Sequence, residues 1–111
     1  GHRELDMRFT DLQFLPHPVK AGGIQAKAQM GPYEVSVVDL SGEGKNYEVA
    51  IFKDGRFVQL PGIHPDPLNE MDWVDDVIHY QSPDNVEGIL LKLALIIGEN
   101  SQPKQVDKVL N

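Results

Sequence analysis

The chain has 111 residues, and its 17 acidic and 10 basic side chains give a formal net charge of −7. A chain of this length is expected to form one domain around a single hydrophobic core. It contains no cysteine, so disulfides and thiolate metal sites are excluded. The acidic excess argues against direct binding to nucleic acid or to an anionic membrane, because both need clustered cations.

The start of the chain and the distribution of its apolar residues indicate where the domain begins and where in the cell the protein is located. No apolar run of membrane-spanning length and no signal peptide stands out, which predicts a cytosolic protein. Met7 is a plausible native initiator, so we interpret residues 1–6 as a remnant of cloning and assign residues 7–111 to a single domain.

Two alternating segments predict the first strands. Residues 24–30 place apolar side chains at every second position, and Gly31-Pro32 then marks a turn. Residues 33–40 alternate in the same way. Residues 16–18, which precede these segments, contain two prolines and interrupt any regular ladder of hydrogen bonds between strands.

The strongest short-range signal is a β-hairpin over residues 47–60. The segment alternates, turns at Asp54-Gly55 and alternates again, which favours a two-residue type I′ turn. This register pairs Phe52 with Phe57 on one face. That aromatic pair is either covered by the N-terminal segment or exposed for a partner. The other face is predicted to belong to the core, through Tyr47, Val49, Ile51, Val58 and Leu60.

A long helix is the last clear element. Ser82 is a predicted N-cap, Pro83 fits the first helical position, and apolar residues follow at helical spacing to a predicted stop at Gly98. Leu91 and Leu95 widen the apolar stripe beyond one face, which makes them candidates for contact with a second subunit. The sequence therefore predicts an α+β fold, an antiparallel β-meander of about four strands with a C-terminal α-helix packed on one face.

The segment between hairpin and helix is the least regular. Residues 61–67 contain three prolines and are predicted to be irregular. Residues 68–80 are ambiguous, and their apolar spacing suggests a short helix or a turn. Residues 101–111 form either a second short helix or a loose tail.

The acidic loop 61–80 contains histidines and carboxylates that are candidates for a catalytic or metal site. The candidates are His64 and Asp66 in the proline-rich part, followed by Asp75, Asp76 and His79. On a helix, Asp75 and His79 would share a face at i, i+4, a spacing that suits metal ligands. One alternative is therefore a small metal-dependent hydrolase, which requires the loop to fold back towards the acidic group. The preferred interpretation is a solvated acidic loop with no catalytic, cofactor or metal site, because no nucleophile–base pair or phosphate-binding glycine loop accompanies it.

Several segments occur in a recognisable order along residues 7–98. They are Phe14-Leu15-Pro16-His17-Pro18, Gly23-Ile24-Gln25-Ala26, Gly31-Pro32-Tyr33-Glu34-Val35-Ser36-Val37-Val38, Tyr47-Glu48-Val49-Ala50-Ile51 and Asp75-Asp76-Val77-Ile78. This order resembles a group of small, uncharacterised proteins encoded by tailed bacteriophages and prophages, although the turn before Tyr33 is usually of Asn-Gly type in that group. The group has no assigned activity, cofactor or catalytic residue, so the resemblance implies a biological context and no mechanism.

The resemblance implies an early or accessory product that binds a host or phage protein without catalysis in the bacterial cytoplasm. The acidic charge would suit a basic groove on that partner. The predicted interaction surface comprises Phe52, Phe57, Leu91 and Leu95, and a homodimer is a further possibility. A minor structural component of the virion is another alternative.

Overall fold

The protein is an antiparallel sheet covered on one face by a long helix. The computed structural model describes residues 7–65 and 75–101. The strands are β1 (Leu15–Pro16), β2 (Ile24–Met30), β3 (Tyr33–Asp39), β4 (Tyr47–Lys53), β5 (Arg56–Phe57) and β6 (Val77–Gln81), and the helix is α1 (Pro83–Ser101). This architecture confirms the predicted α+β class, the meander and the C-terminal helix. The short strand β1 and the returning strand β6 extend the predicted meander.

Strand β4 organises the sheet because it has neighbours along both edges. Strands β1, β2, β3 and β4 lie side by side in chain order, and β3 pairs along one edge of β4. The other edge is shared: β5 pairs with the hairpin end of β4 and β6 with its beginning. The chain therefore leaves the sheet after β5 and returns to the same edge as β6.

The hairpin has the predicted turn and register. Asp54 and Gly55 have φ angles of 55° and 79°, and a type I′ turn requires positive values at both positions. The paired residues are Phe52 with Phe57 and Lys53 with Arg56, as predicted. Strand β5 ends at Phe57, earlier than predicted, because the chain turns at Leu60. The carbonyl oxygen of Leu60 accepts hydrogen bonds from the backbone N–H groups of Ile63 and His64.

The hydrophobic core lies between one face of the sheet and α1. Its fully buried apolar residues are Met30, Val35, Val37, Val49 and Ile51 from the sheet and Val86, Leu90 and Leu93 from α1. Tyr47 is buried as well, whereas Val58 and Leu60 pack against this cluster as partly buried residues. The predicted core face of the hairpin is thus confirmed. Within the described residues, no helix is both long and apolar enough to cross a membrane.

The N-terminal segment packs on the core side of the sheet. The rings of Phe9 and Phe14 lie 5.4 Å and 5.5 Å from the ring of Tyr47, measured between centroids. Glu87 of α1 fastens this segment, because its carboxylate accepts hydrogen bonds from the Arg8 guanidinium at 3.0 Å and from the Phe9 backbone at 2.8 Å. In the described part of the chain, this segment therefore does not cover the aromatic pair of the hairpin, which lies on the opposite face.

Helix α1 begins as predicted and ends later. The backbone N–H of Asn85 donates to Ser82 Oγ, and the N–H of Ser82 donates to Asn85 Oδ1, both at 3.1 Å, which forms a reciprocal N-terminal cap. The predicted stop at Gly98 is wrong, since the helix continues to Ser101. Gly98 does not adopt the positive φ of a C-terminal glycine cap. Residues 102–111, and with them most of the predicted tail, lie outside the described residues.

The prediction of a helix or turn over residues 68–80 is wrong for its last part. Val77 and Ile78 pair with Ala50 and Val49 and belong to β6. The register shifts between Tyr47 and Val49, so two residues of β6 lie opposite one residue of β4. Such a bulge interrupts the period-two pattern of a strand. Residues 66–74 lie outside the described residues.

Candidate functional site

We call the sheet face opposite α1 the outer sheet face. It comprises Gln25, Lys27 and Gln29 of β2, Glu34, Ser36 and Val38 of β3, and Glu48, Ala50 and Phe52 of β4. Side chains alternate between the two faces of a strand, so these residues point away from the core between the sheet and α1. Ser36 and Ala50, at the centre of this face, are nevertheless buried. No described helix packs on this face, because α1 and the short 3-10 helix Phe9–Asp11 both lie on the core side.

An aromatic pair marks one end of the outer sheet face. The rings of Phe52 and Phe57 have centroids 4.6 Å apart and planes inclined by 37°. Contacts of this kind contribute about 0.5–1.5 kcal/mol beyond the burial of area. Phe57 nevertheless keeps 49% of its surface exposed. The hairpin register holds the two rings together, and it leaves one of them available to a partner.

An acidic depression adjoins this pair. It has a volume of about 280 Å³ and is lined by Gln29, Pro32, Glu34, Phe52, Asp54 and Gly55. Its two ionisable residues, Glu34 and Asp54, are both acidic. We define the aromatic site as Phe52, Phe57, Glu34 and Asp54. The site offers apolar contact beside negative charge, which matches a side chain or segment that is apolar and positively charged.

A histidine between two carboxylates lies elsewhere on the same face. His79 Nε2 is 2.9 Å from Asp75 Oδ2, and His79 Nδ1 is 3.8 Å from Glu48 Oε2. The hydrogen bond with Asp75 raises the pKa of His79 above its usual 6.5, partial burial opposes the change, and the charge of Glu48 adds to it. The structure thus brings Asp75 and His79 together, but at the entry to strand β6 and not on the helix that the sequence suggested.

His64 holds the loop after the hairpin in place. Its imidazole is buried, its Nδ1 accepts the backbone N–H of Leu60 at 2.9 Å, and its Nε2 lies 3.3 Å from the carbonyl oxygen of Asp76. The loop therefore folds back towards the acidic segment, as the hydrolase alternative required. Both ring nitrogens, however, contact the backbone.

The other members of the hydrolase alternative do not complete a site in the described part of the chain. The carboxylate of Asp76 accepts a hydrogen bond of 3.0 Å from Gln59 Nε2, and Asp66 lies outside the described residues. Among residues 7–65 and 75–101, no group of three or more His, Cys, Asp or Glu side chains could hold a metal ion.

The leucines of the predicted interaction surface lie on the other side of the molecule. Leu91 and Leu95 are 46% and 68% exposed and point away from the core side of α1. Because α1 covers the core face of the sheet, the leucines and the aromatic pair lie on opposite faces of the two-layer structure. The four predicted residues therefore form two separate surfaces.

Asp39, which the sequence did not single out, carries the carboxylate with the most hydrogen bonds among the described residues. Only 1% of this residue is exposed, and its carboxylate accepts hydrogen bonds from Ser41, Gly42 and Gly44. Burial alone would raise the pKa of Asp39, but these hydrogen bonds outweigh it and hold the pKa below its usual 3.8. The sequence signal for this loop was an aspartate at the end of a strand, followed by a serine and two glycines. An aspartate side chain in that position accepts hydrogen bonds from the backbone N–H groups of the residues that follow.

Comparison of the chain with models of known protein families, with curated proteins and with solved structures found no match. The resemblance to phage proteins therefore stays a prediction.

Proposed function

We propose that this chain is a small phage-type accessory protein that binds a basic region of a host or phage protein without catalysing a reaction. The aromatic site carries the proposal: a half-exposed phenylalanine, held against a second one, lies beside an acidic depression on the outer sheet face. Aromatic residues supply much of the energy of protein interfaces.

Two forces would act together at this site. Burying the exposed part of Phe57 would contribute roughly 1–2 kcal/mol to binding. The net charge of −7 would attract a basic partner and speed its approach at low ionic strength. The same charge opposes binding to nucleic acid and to anionic membranes, so the proposed partner is a protein in the bacterial cytoplasm.

The alternatives receive less support from the described residues. A metal-dependent hydrolase would need His64 as a ligand or base, yet both nitrogens of its ring contact the backbone. A virion component would use the same surfaces at a different location, and mass spectrometry of purified particles distinguishes it.

A capture experiment with matched variants tests the proposal. The chain is immobilised and exposed to lysate from bacteria infected with the encoding phage, and recovered proteins are quantified by mass spectrometry. The variants are Phe57→Ser and Glu34→Gln. Val19→Ser is the control, because Val19 is 88% exposed and lies near the end of the sheet opposite the hairpin turn. Circular dichroism verifies that each variant is folded.

We expect a basic protein to be recovered in equal amounts by the unmodified chain and by the Val19→Ser variant. Its recovery should be lost with Phe57→Ser, because the apolar contact is removed, and reduced with Glu34→Gln or at high salt, because the attraction is weakened. Recovery of the same proteins in equal amounts by a folded Phe57→Ser variant would contradict the proposal.

A further inference from the structure

The edge of the sheet at β2 is only partly covered. The short strand β1 pairs with Ile24 and Gln25 at the beginning of β2. Before β1 the chain leaves this edge, and no Cα atom of the 3-10 helix Phe9–Asp11 lies within 8 Å of one in β2. In the described part of the chain, no strand therefore pairs with residues 27–29 along this edge. We call this stretch the open edge.

Lys27 and Gln29 direct their backbone N–H and C=O groups to the open edge. The backbone groups of successive residues in a strand point to opposite edges. The N–H of His17 donates to the carbonyl oxygen of Gly23 at 2.8 Å on this edge, so every second residue after Gly23 faces the same way. Ala28, between the two, faces β3 instead. Two donors and two acceptors thus lack a strand partner within the described residues.

Other stretches of the sheet edge are blocked. Pro16 in β1 has no N–H to offer to a further strand. In β6 the N–H of Val77 donates to Asp75 Oδ1 at 3.0 Å. The carbonyl oxygen of His79 in the same strand accepts a hydrogen bond of 2.9 Å from Gln81 Nε2. Natural proteins protect edge strands from pairing with other chains by such means. No described side chain occupies the backbone groups of the open edge in this way.

The open edge adjoins the aromatic site through one row of side chains on the outer sheet face. Gln29 lies opposite Glu34, which lies opposite Phe52. Phe52 in turn lies opposite Phe57. A strand added at the open edge would place one more residue at the beginning of this row. Neighbouring strands are about 4.8 Å apart, so this residue would lie roughly 10 Å from Glu34. A long basic side chain can cross Gln29 and reach the acidic depression.

Lys27 determines the charge that suits the next position of an added strand. In the described part of the chain, its ammonium group forms no ion pair. Its partner on β3 is Ser36, so no carboxylate lies directly opposite it. An acidic side chain across the open edge would be attracted to Lys27. The preferred strand therefore has a basic residue opposite Gln29 and an acidic residue opposite Lys27.

We propose that the partner of this protein supplies an extended segment that joins β2 at the open edge as an additional antiparallel strand. Unpaired N–H and C=O groups at the spacing of a strand are matched by another extended backbone, and antiparallel pairing is the more stable arrangement. This inference deepens the proposed function and rests on it, because the basic side chain attracted by the aromatic site would come from this strand. A second copy of the chain is a poor occupant, since two chains of charge −7 repel each other.

Hydrogen exchange of the free protein, followed by NMR, tests whether the edge is open. The amides of Ala26 and Ala28 face β3 and should exchange slowly. The amides of Lys27 and Gln29 should exchange fast. Slow exchange at all four positions would show that the edge is already covered, and it would overturn the proposal.

The probe for binding is the peptide acetyl-Thr-Val-Arg-Val-Glu-amide. In antiparallel register its arginine lies opposite Gln29 and its glutamate opposite Lys27. Titration with up to about 5 mM peptide, followed by the amide chemical shifts of the protein, covers the weak affinity expected of so short a strand. The amides of Lys27 and Gln29 should become protected on binding. A control peptide with arginine and glutamate exchanged should bind at least about fivefold more weakly, because each charge then meets a like charge.

Two N-methylated peptides test the backbone contact. Methylation of the arginine N–H removes a donor that faces β2, so it should weaken binding roughly tenfold or more. Methylation of the N–H of the central valine alters the opposite edge of the added strand. It should change the affinity by less than about twofold.

The matching variants of the protein are Gln29→Pro and Gln29→Ala. Both remove the glutamine side chain, but only proline removes the N–H at the open edge. Peptide binding should therefore be lost with Gln29→Pro and kept with Gln29→Ala. Circular dichroism verifies that both variants are folded, and the methylated peptides test the same contact if Gln29→Pro does not fold.

Each outcome decides the proposal. Weaker binding of the arginine-methylated peptide than of the valine-methylated one, with new protection at Lys27 and Gln29, supports it. Absence of binding up to about 5 mM, or equal binding of the two methylated peptides, overturns it. The lysate capture experiment separates this result from the proposed function. Recovery of a basic protein that depends on Phe57 but is equal with Gln29→Pro and Gln29→Ala would retain the proposed function and overturn the added strand.

Discussion

The carboxylate of Asp39 accepts a hydrogen bond of 2.6 Å from the backbone N–H of Gly44, five residues further along the chain. Its other oxygen accepts the N–H groups of Ser41 and Gly42 and the hydroxyl of Ser41, at 2.7 to 3.1 Å. One buried side chain therefore satisfies the polar groups of a loop between two central strands. We expect the position of this loop to depend on a negative charge.

Replacement of Asp39 by asparagine should destabilise the fold by roughly 2–3 kcal/mol, the range for hydrogen bonds to charged groups. Asparagine has one acceptor oxygen, so its amide would face an N–H that the carboxylate now accepts. Urea unfolding at neutral pH measures the loss. Asp54→Asn is the matched control, because Asp54 is an exposed turn residue and asparagine suits its positive φ. Equal stability of the two variants would contradict the role of Asp39.

The same carboxylate predicts a dependence of stability on acid. Because the pKa of Asp39 is lower in the folded protein than its usual 3.8, the charged form favours folding at pH values above about 4. This contribution should be lost as the pH falls through the folded pKa. Urea unfolding of the unmodified chain and of Asp39→Asn should therefore converge as the pH is lowered from 7 towards 3.

Gly42 should tolerate no side chain. It has a φ of 73°, and a Cβ atom at this position would overlap the carbonyl oxygen of Gly22. Gly55 has a similar φ of 79°, but a Cβ atom there would meet open space. Gly55→Ala should cost about 1–2 kcal/mol through backbone strain alone. Gly42→Ala should reduce the stability of the fold clearly more. The difference between the two variants in the free energy of unfolding then measures the cost of the steric overlap.

His79 should titrate above the usual range of histidine. Its pKa is raised chiefly by the hydrogen bond with Asp75 and further by the charge of Glu48. Asp75→Asn should lower this pKa more than Glu48→Gln does, and NMR titration of the imidazole signals measures both. Since the folded pKa is raised, protonated His79 favours folding below about pH 6.5, and that contribution is lost as the pH rises through the folded value. An unchanged titration in Asp75→Asn would contradict the assignment.

Substitution of Gly88 by alanine should stabilise the monomer. Glycine inside a helix costs about 0.5–1 kcal/mol relative to alanine, and a Cβ atom at Gly88 would meet nothing within 4 Å. Thermal unfolding at low protein concentration, where self-association is negligible, should show a higher Tm. Gly98→Ala should act alike, because that position is helical and an added Cβ atom would meet no side chain of the described residues within 4 Å. A lower Tm in both variants would contradict this expectation.

The sequence predicted the elements whose signals are local. The Asp54-Gly55 corner determines the turn type and hence the pairing of Phe52 with Phe57. The start of α1 follows from the cap at Ser82 and from Pro83. In each case the residues that determine the local structure are neighbours in the sequence.

The elements that depend on distant contacts were missed or misjudged. Strand β6 exists because Val77 and Ile78 pair with β4, and its bulge interrupts the alternation that would have revealed it. The helix continues past Gly98 because nothing there adopts the positive φ of a cap, a conformation that glycine permits but does not impose.

For the candidate site, the hairpin register predicted the aromatic pair, but not whether a covering layer exists. Phe9 and Phe14 pack on Tyr47 instead, and these contacts join segments that are distant in the sequence. The sequence likewise did not show that Leu91 and Leu95 lie on the opposite side of the molecule from Phe52 and Phe57. The exposure of each pair is therefore known only from the assembled fold.

Helix α1 and the outer sheet face lie on opposite sides of one hydrophobic core, so a molecule that covers one of them leaves the other in contact with water. Because the core separates Phe57 from Leu95, substitutions at these two positions should have additive effects on the free energy of unfolding. Each of the two exposed surfaces can therefore be altered without disturbing the other.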